Sequence, residues 1–330
     1  MSESRQLSVA VVGATGAVGE AVLTVLAERE FPVARLHALG SGGAEGDTVM
    51  FAERPRRVLP VATFDFAGCD LALFCAPAAV AQQHAPRAVA AGCRVIDASA
   101  GFRLEAQVPL VVPEVNAEAL AAAGAVIASP DAASVQLATV LAPLARVAGI
   151  EQVALTTLLA VSARGRAGVD ELAGQTARLL NAQSVDHNVF PAQIAFNLIP
   201  DFSEAQAQTG AELRRLLADE SIAVSAGCAF APVFYGHSQV VHLRTREPLT
   251  AAAARKLLAK APGVKVMDRA GDYPSPVGDS VGQDVVLVGK VRQGSDSGRD
   301  LTLWTVADNI RKGAAVNIVQ IAETLLKKHL

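Results

Sequence analysis

Three glycines at a spacing of three, Gly13, Gly16 and Gly19, are the first residues arranged for chemistry. They follow a β-branched run, Val9 to Val12, and open a segment where Val18, Val22, Leu23 and Leu26 recur at helical spacing. A strand, a glycine turn and a helix aim a helix N-terminus outward. Its N–H groups and dipole favour an anion, and missing Cβ atoms let a phosphate come close. Gly13, Thr15, Gly16, Ala17, Val18 and Gly19 are therefore candidates for holding a dinucleotide; a tight βα turn without ligand has the same pattern. Among nucleophiles, the four cysteines are Cys69, Cys75, Cys93 and Cys228. They lack paired metal-ligand spacing, which predicts reduced thiols and no metal site. Cys75 ends a predicted strand at the ligand-binding edge, as a reactive thiol or a small buried hydrophobe. Arg103 follows another strand in a polar loop, as a grip on phosphate or carboxylate or as solvated charge.

The elements that position these groups alternate. Strands are predicted near Ala34 to Leu39, Leu71 to Cys75, Arg94 to Asp97 and Ala125 to Ala128, with a helix over His84 to Ala91. Asn116 is read as capping a short Ala-rich helix. Alternating strands and helices mean a doubly wound, Rossmann-like parallel sheet. Beyond its second strand such a fold places an Asp or Glu for NAD, or an Arg for NADP. Here stands Leu39-Gly-Ser-Gly-Gly-Ala-Glu45, whose only acid comes late. A second, α+β domain is expected from the strands Gln152 to Val161, His237 to Thr245, Val285 to Val291 and Leu301 to Val306, forming a large mixed sheet. Trp304 lies in that sheet, as core or interface. A last helix is expected from Asp308 to about Lys328, striped by Ile310, Ala314, Ile318, Ile321 and Leu325.

Bulk properties narrow the class. The chain has 330 residues, 51% hydrophobic but only 4% aromatic, with net charge −3 and scattered Lys and Arg. No nucleic-acid surface is expected. No apolar run reaches membrane-span length and no signal-type segment precedes the first strand, so a cytoplasmic chain is expected.

Several runs, spread over nearly the whole chain, resemble the aspartate-β-semialdehyde dehydrogenase family. They are Gly13 to Gly19, Val108 to Asn116, Ala160-Val-Ser162 with Ala167-Gly-Val-Asp-Glu171, Ile194 to Pro200, Pro232 to Ser238, and Asp308-Asn-Ile-Arg-Lys-Gly-Ala-Ala315. The resemblance implies reductive dephosphorylation of an acyl phosphate through a cysteine thioester and NADP or NAD. A glutamine, a histidine and an arginine would assist. It also implies a homodimer, and domains at 1–131 with 309–330 and at 132–308.

The chain departs from this pattern at the reacting groups. The family's Asn-Pro-Asn-Cys-Ser-Thr-x-Gln lies over Ser129 to Gln136, so the cysteine position is Ala132. The glutamine position is Leu159 and the substrate arginine is Phe230; His237 is retained as an acid/base remnant. Asp131 and Ser134 are nearby oxygen groups, with Ser134 read as a helix cap. Ser162 matches the loop that meets the nicotinamide, although Ala163-Arg-Gly-Arg166 stands where the family has Gly-Ala-Gly-Lys. Arg103, Arg166, Glu212 and Arg215 match the substrate and anion side, or an ordinary solvated face. The expectation is a homologue similar to the Usg-type paralogues, inactive in the family reaction and binding phosphate or a small anionic metabolite. The alternative is an NAD(P)-dependent oxidoreductase with an altered substrate and no thioacyl intermediate.

Overall fold

A computed structural model describes residues 6–44, 46–201, 205–269, 271–294 and 298–328; Glu45, the late acid of the glycine loop, lies outside them. The chain divides into two compact units, 1–131 with 314–330, and 132–313.

The first unit contains β1 (Leu7–Val12), α1 (Ala17–Glu28), β2 (Val33–Gly40), the hairpin β3 (Thr48–Phe51) and β4 (Arg54–Arg57), and β5 (Leu59–Pro60). It continues with β6 (Leu71–Phe74), α2 (Ala78–Ala90), β7 (Arg94–Asp97), α3 (Pro113–Asn116) and β8 (Val126–Ala128), and closes with the chain's last helix, Asn317–Lys328. Six strands pair in parallel in the order β5-β2-β1-β6-β7-β8. This is the doubly wound order, with its crevice where the winding reverses at the carboxyl ends of β1 and β6. The continuous apolar run of β1 has a physical cause. Val9 and Val11 pack with Val22 and Leu26 of α1 and with Ile318 and Ile321, while Ala10 and Val12 face Ala81 and Ala85 of α2. Both faces of the strand are buried, so both need apolar side chains.

Three local expectations change. Asn116 stands at the N-cap of the short Ala-rich helical turn Ala117–Ala122, as expected, but its side chain makes no capping bond there. Its Oδ1 accepts from Val112 N–H at 3.0 Å and its Nδ2 donates to Leu110 O at 2.9 Å, closing the turn behind it. The helix expected at His84 starts six residues earlier, at Ala78, and runs through Pro86. The last helix begins at Asn317 rather than Asp308, because Arg311–Val316 winds as a wider π turn.

The second unit contains α4 (Ala132–Ala148), β9 (Ile150–Leu159), α5 (Gly165–Leu180), β10 (Ile199–Asp201), α6 (Ala205–Leu217) and β11 (Ala223–Phe230). Then follow β12 (His237–Thr245), α7 (Ala251–Leu258), β13 (Val264–Val266), β14 (Val286–Gln293) and β15 (Asp300–Ala307). Its sheet is mixed, ordered β10-β11-β9-β12-β15-β14-β13. Alternation along the strands gives it two unlike faces. Val153 and Leu155 on β9, and Val241 and Leu243 on β12, are buried on the helix side. Thr156 and His242 are exposed on the other face. Trp304 lies half-buried in register with Val240, which pairs with Thr156, and so joins the uncovered face; its Nε1 donates to Pro274 O at 2.8 Å.

Candidate functional site

In the first unit the three glycines have separate jobs. Gly13 has φ +82°, and a Cβ there would lie 2.4 Å from Cys75 O. A Cβ on Gly19 would lie 2.1 Å from Gly13 O. Both are demanded by packing between backbones. Gly16 is the N-cap of α1, without a side-chain cap, and a Cβ there would meet only Gly13 O, at 3.3 Å. The first turn of α1 is thus left to backbone groups. That cradle fits a dinucleotide pyrophosphate, with Gly16 to Gly19 as its floor. The loop after β2, Ser41 to Ala44, presents neither an acid nor an arginine to read a ribose.

Arg103 is drawn into its own unit. Its Nε donates to Ser129 O at 3.1 Å, its Nη2 to Ala98 O at 2.6 Å, and its Nη1 lies 3.5 Å from Asp131 Oδ2. Two backbone carbonyls and a carboxylate thus engage three of the guanidinium's N–H groups. Beside it Asp97 is fully buried, accepting from Ser99 Oγ–H and N–H. Burial raises its carboxyl above the ordinary range, against those bonds and the charge of Arg103. Burial also pushes the Cys75 thiol up to about 12, with Asp97 adding to the effect, so Cys75 is a neutral hydrophobe and not a reactive thiolate.

In the second unit the expected catalytic positions surround the start of α4 and the carboxyl ends of β9 and β11. Ala132 is the first residue of α4, and a Cβ on Gly313 would lie 2.6 Å from its methyl. Ser134 sits inside the first turn, so it is not a cap. It is fully buried, and its hydroxyl has no hydrogen-bond partner among the described residues. The helix is anchored instead by a buried relay. Gln136 Nε2 donates to Thr305 Oγ1 at 2.7 Å, Thr305 Oγ1 donates to Gln239 Oε1 at 3.3 Å, and Gln239 Nε2 donates to Ala133 O at 2.9 Å.

Leu159 and Phe230 are direct partners in the β9–β11 register. Phe230 is 4% exposed, meets Phe190 edge-on at 5.0 Å, and has Arg164 above its ring at 4.9 Å. Leu159 packs into the same apolar cluster. The positions expected for the glutamine and the arginine thus form one hydrophobic contact. Arg164 also lies 3.6 Å from Asp201. His237 is buried, and its Nδ1 accepts from Ala160 N–H at 3.1 Å. In the neutral ring the proton therefore sits on Nε2, which donates and does not accept.

Ser162 is buried and tied down. Its N–H donates to Phe234 O at 3.1 Å, and Asn309 Nδ2 donates to its Oγ at 3.0 Å. Glu212 is fully buried in α6, not on a solvated face, while Arg215 is half-buried and Arg166 exposed. Cys228 Sγ reaches Asp201 O at 3.3 Å, a structural contact across β10 and β11.

Sequence reasoning missed the residues that hold these loops. Asn309 Oδ1 accepts from Gly236 N–H at 3.0 Å and so joins the Ser162 loop to the turn before His237. Glu171 Oε2 accepts from the N–H groups of Asn188 at 2.8 Å and Val189 at 2.6 Å. One turn on, Gln175 Oε1 accepts from Ile194 N–H at 2.9 Å. Both Glu171 and Asn309 stand within runs singled out above; their type was visible, their long-range partners were not. Among the described residues no group of three or more His, Cys, Asp or Glu could hold a metal, and no helix is long and apolar enough to cross a membrane.

Comparison with known proteins follows this geometry. Residues 8–123 match the semialdehyde dehydrogenase NAD binding domain, and residues 141–312 the semialdehyde dehydrogenase dimerisation domain. An aspartate-semialdehyde dehydrogenase of Legionella pneumophila is 45% identical, over 99% of this chain and 98% of its own. A USG-1 protein homolog of Pseudomonas aeruginosa is 44% identical, over 99% of this chain and 100% of its own. The crystal structure of aspartate semialdehyde dehydrogenase II from Vibrio cholerae, complexed with ASA, superimposes with TM-score 0.96 at 43% identity, covering 99% of this chain and 100% of that one. The chain belongs to the aspartate-semialdehyde dehydrogenase family.

Proposed function

We propose that this chain keeps the dinucleotide-binding and dimer-forming architecture of its family and has given up the covalent thioacyl step. The observation that carries this reading is Ala132 at the head of α4. A methyl group cannot attack an acyl phosphate, and Ser134, the nearest hydroxyl in that turn, is buried. Cys69 and Cys93 do not substitute for the missing thiol. They precede β6 and β7, at the amino ends of strands whose carboxyl ends carry the glycine crevice. The Leu159–Phe230 contact likewise supplies no amide and no guanidinium. NADP or NAD would rest its pyrophosphate on Gly16 to Gly19 and would supply hydride chemistry when bound; His237 would present an Nε2 proton. The chain then acts as a homodimeric binding or regulatory protein in the cytoplasm.

A second reading is supported by relatives named aspartate-semialdehyde dehydrogenase at 45% and 43% identity over 99% of the chain. It is that the chain remains an NAD(P)-dependent oxidoreductase without a thioacyl intermediate. One experiment separates the two. Purified protein is assayed with aspartate semialdehyde, phosphate and NADP or NAD, beside Ala132→Cys, and NADPH binding is measured by calorimetry. The first reading expects NADPH binding with no turnover above background. Turnover that falls on Ala132→Val, a change a contaminant would not feel, establishes the second reading and sinks the first.

A further inference from the structure

Cys69 and Cys93 are 24 positions apart in the chain and adjacent in the fold. Each stands just before a strand, and the two strands pair in parallel with Leu71 opposite Arg94. Arg94 N–H donates to Asp70 O at 3.0 Å, so the cysteine segments are already zipped together. Continued back, that register sets Cys93 beside Asp70, one residue from Cys69; a strand spacing of about 4.8 Å with a one-residue offset of about 3.3 Å keeps the two Cα atoms within the separation of about 4.4–6.8 Å that a disulfide spans. The thiols share one environment. Cys93 Sγ lies 3.6 Å from Phe66 O, Cys69 N–H donates to the same carbonyl at 3.0 Å, and Ser8 Oγ donates to Cys69 Sγ at 3.9 Å.

Both thiols are buried, 5% exposed at Cys69 and 1% at Cys93. Each directly follows an exposed glycine turn, Ala67–Gly68 and Ala91–Gly92. Gly68 has φ +77° and Gly92 has φ +91°, and a Cβ on either would meet nothing within 4 Å. Each cysteine is thus one residue from an exposed turn that carries no packing of its own, and opening those turns gives peroxide its path.

We propose that Cys69 and Cys93 are a redox modification site, closing to an intramolecular disulfide when the protein meets hydrogen peroxide. The Cys69 thiolate attacks one peroxide oxygen. The O–O bond breaks, the departing hydroxide takes a proton and leaves as water, and Cys69 carries a sulfenic acid. Cys93 then attacks that sulfur. The S–O bond breaks, the sulfenic oxygen leaves as water with the Cys93 proton, and the S–S bond forms. Two thiols lose two electrons and two protons, and one peroxide becomes two waters. The division of roles has a physical basis. A hydrogen bond from the neighbouring Cys93 thiol holds Cys69 below the ordinary thiol range, opposed by burial, helped by Ser8, and opposed by the charges of Asp70 and Asp65. The same contact drives the Cys93 thiol upward. Cys69 is then the attacking thiolate and Cys93 the resolving thiol.

The test uses the full-length wild-type protein. It is exposed to graded hydrogen peroxide at pH 7.5, denatured, alkylated, digested and mapped by mass spectrometry. The expected result is a Cys69–Cys93 linked peptide, two of the four thiols lost, and recovery of all four on adding a thiol reductant. Cys93→Ala is expected to trap a dimedone-reactive sulfenic acid at Cys69, and Cys69→Ala to leave Cys93 reduced under the same conditions. If wild type stays fully alkylatable while a control thiol oxidises, or the linked peptide contains Cys75 or Cys228, the proposal is overturned, whether or not the variants fold.

Discussion

The guanidinium of Arg164 lies 4.9 Å over the ring of Phe230, in the apolar cluster that also takes Leu159 and Phe190. The ring face holds a positive charge, and a cation on an aromatic is stabilised there. Phe230→Arg alone would bring a second guanidinium into this cluster. It is expected to cost about 2–4 kcal/mol, read as a lowered urea midpoint, with Phe230→Arg/Arg164→Ala recovering part of the loss. Equal stability of wild type and Phe230→Arg would show that the cluster tolerates a second guanidinium.

The glycines of the first turn are expected to separate into two classes. Gly13→Ala and Gly19→Ala each drive a Cβ into backbone, 2.4 Å from Cys75 O and 2.1 Å from Gly13 O. Each is expected to cost about 3 kcal/mol or more. Gly16→Ala meets only Gly13 O at 3.3 Å and should leave the melting temperature within a few degrees. If it nonetheless lowers NADPH affinity by calorimetry, Gly16 serves the cofactor; unchanged affinity would remove it from the binding floor.

Asn309→Ala is expected to destabilise the second unit by about 2–3 kcal/mol. It leaves the Gly236 N–H and the buried Ser162 hydroxyl without their partner. Chemical denaturation measures the loss, and a change under half a kcal/mol, below about the worth of one net hydrogen bond, would show that water replaces the amide.

Acid should weaken one particular ion network. Burial raises the Asp268 carboxyl, but the hydrogen bond and charge of Arg255 and the charge of Arg292 outweigh it, so its pKa is lowered overall. A carboxyl depressed in the fold adds stability above its unfolded value, about 3.9, and loses it as pH falls through the folded value. Asp268→Asn should therefore cost about 2 kcal/mol at pH 7, with the gap to wild type closing below about pH 4. A gap that does not narrow at all as pH falls below the unfolded value would assign the loss to packing.

The Arg103 guanidinium is balanced by Asp131 at 3.5 Å, at a position where the family pattern has an asparagine. Phosphate must compete with that carboxylate. At 10 mM phosphate, about the scale of a weak millimolar site, Asp131→Asn should gain a larger rise in melting temperature than wild type, and Asp131→Asn/Arg103→Ala should lose it. Identical shifts in all three proteins would mean that Arg103 serves only its two carbonyls.

Much of this molecule is local enough to be read from the chain. The β1–glycine–α1 unit, the span His237–Thr245 and the parallel class of the first sheet follow from periodicity, because burial on one or both faces imposes it directly. Ala132, Leu159 and Phe230 are likewise visible as residue types at motif positions. What those residues touch was decided only by tertiary structure. The pairing of Leu159 with Phe230 is a register between strands about 70 residues apart, and no window of sequence holds both. The bond from Asn309 to Ser162 spans 147 positions, and the Gln136–Thr305 bond spans 169. The chain shows that Arg103 is basic; only the fold shows its charge met by Asp131 and two backbone carbonyls. Hydrophobic pattern is a property of neighbours along the chain, whereas hydrogen-bond satisfaction is a property of neighbours in space.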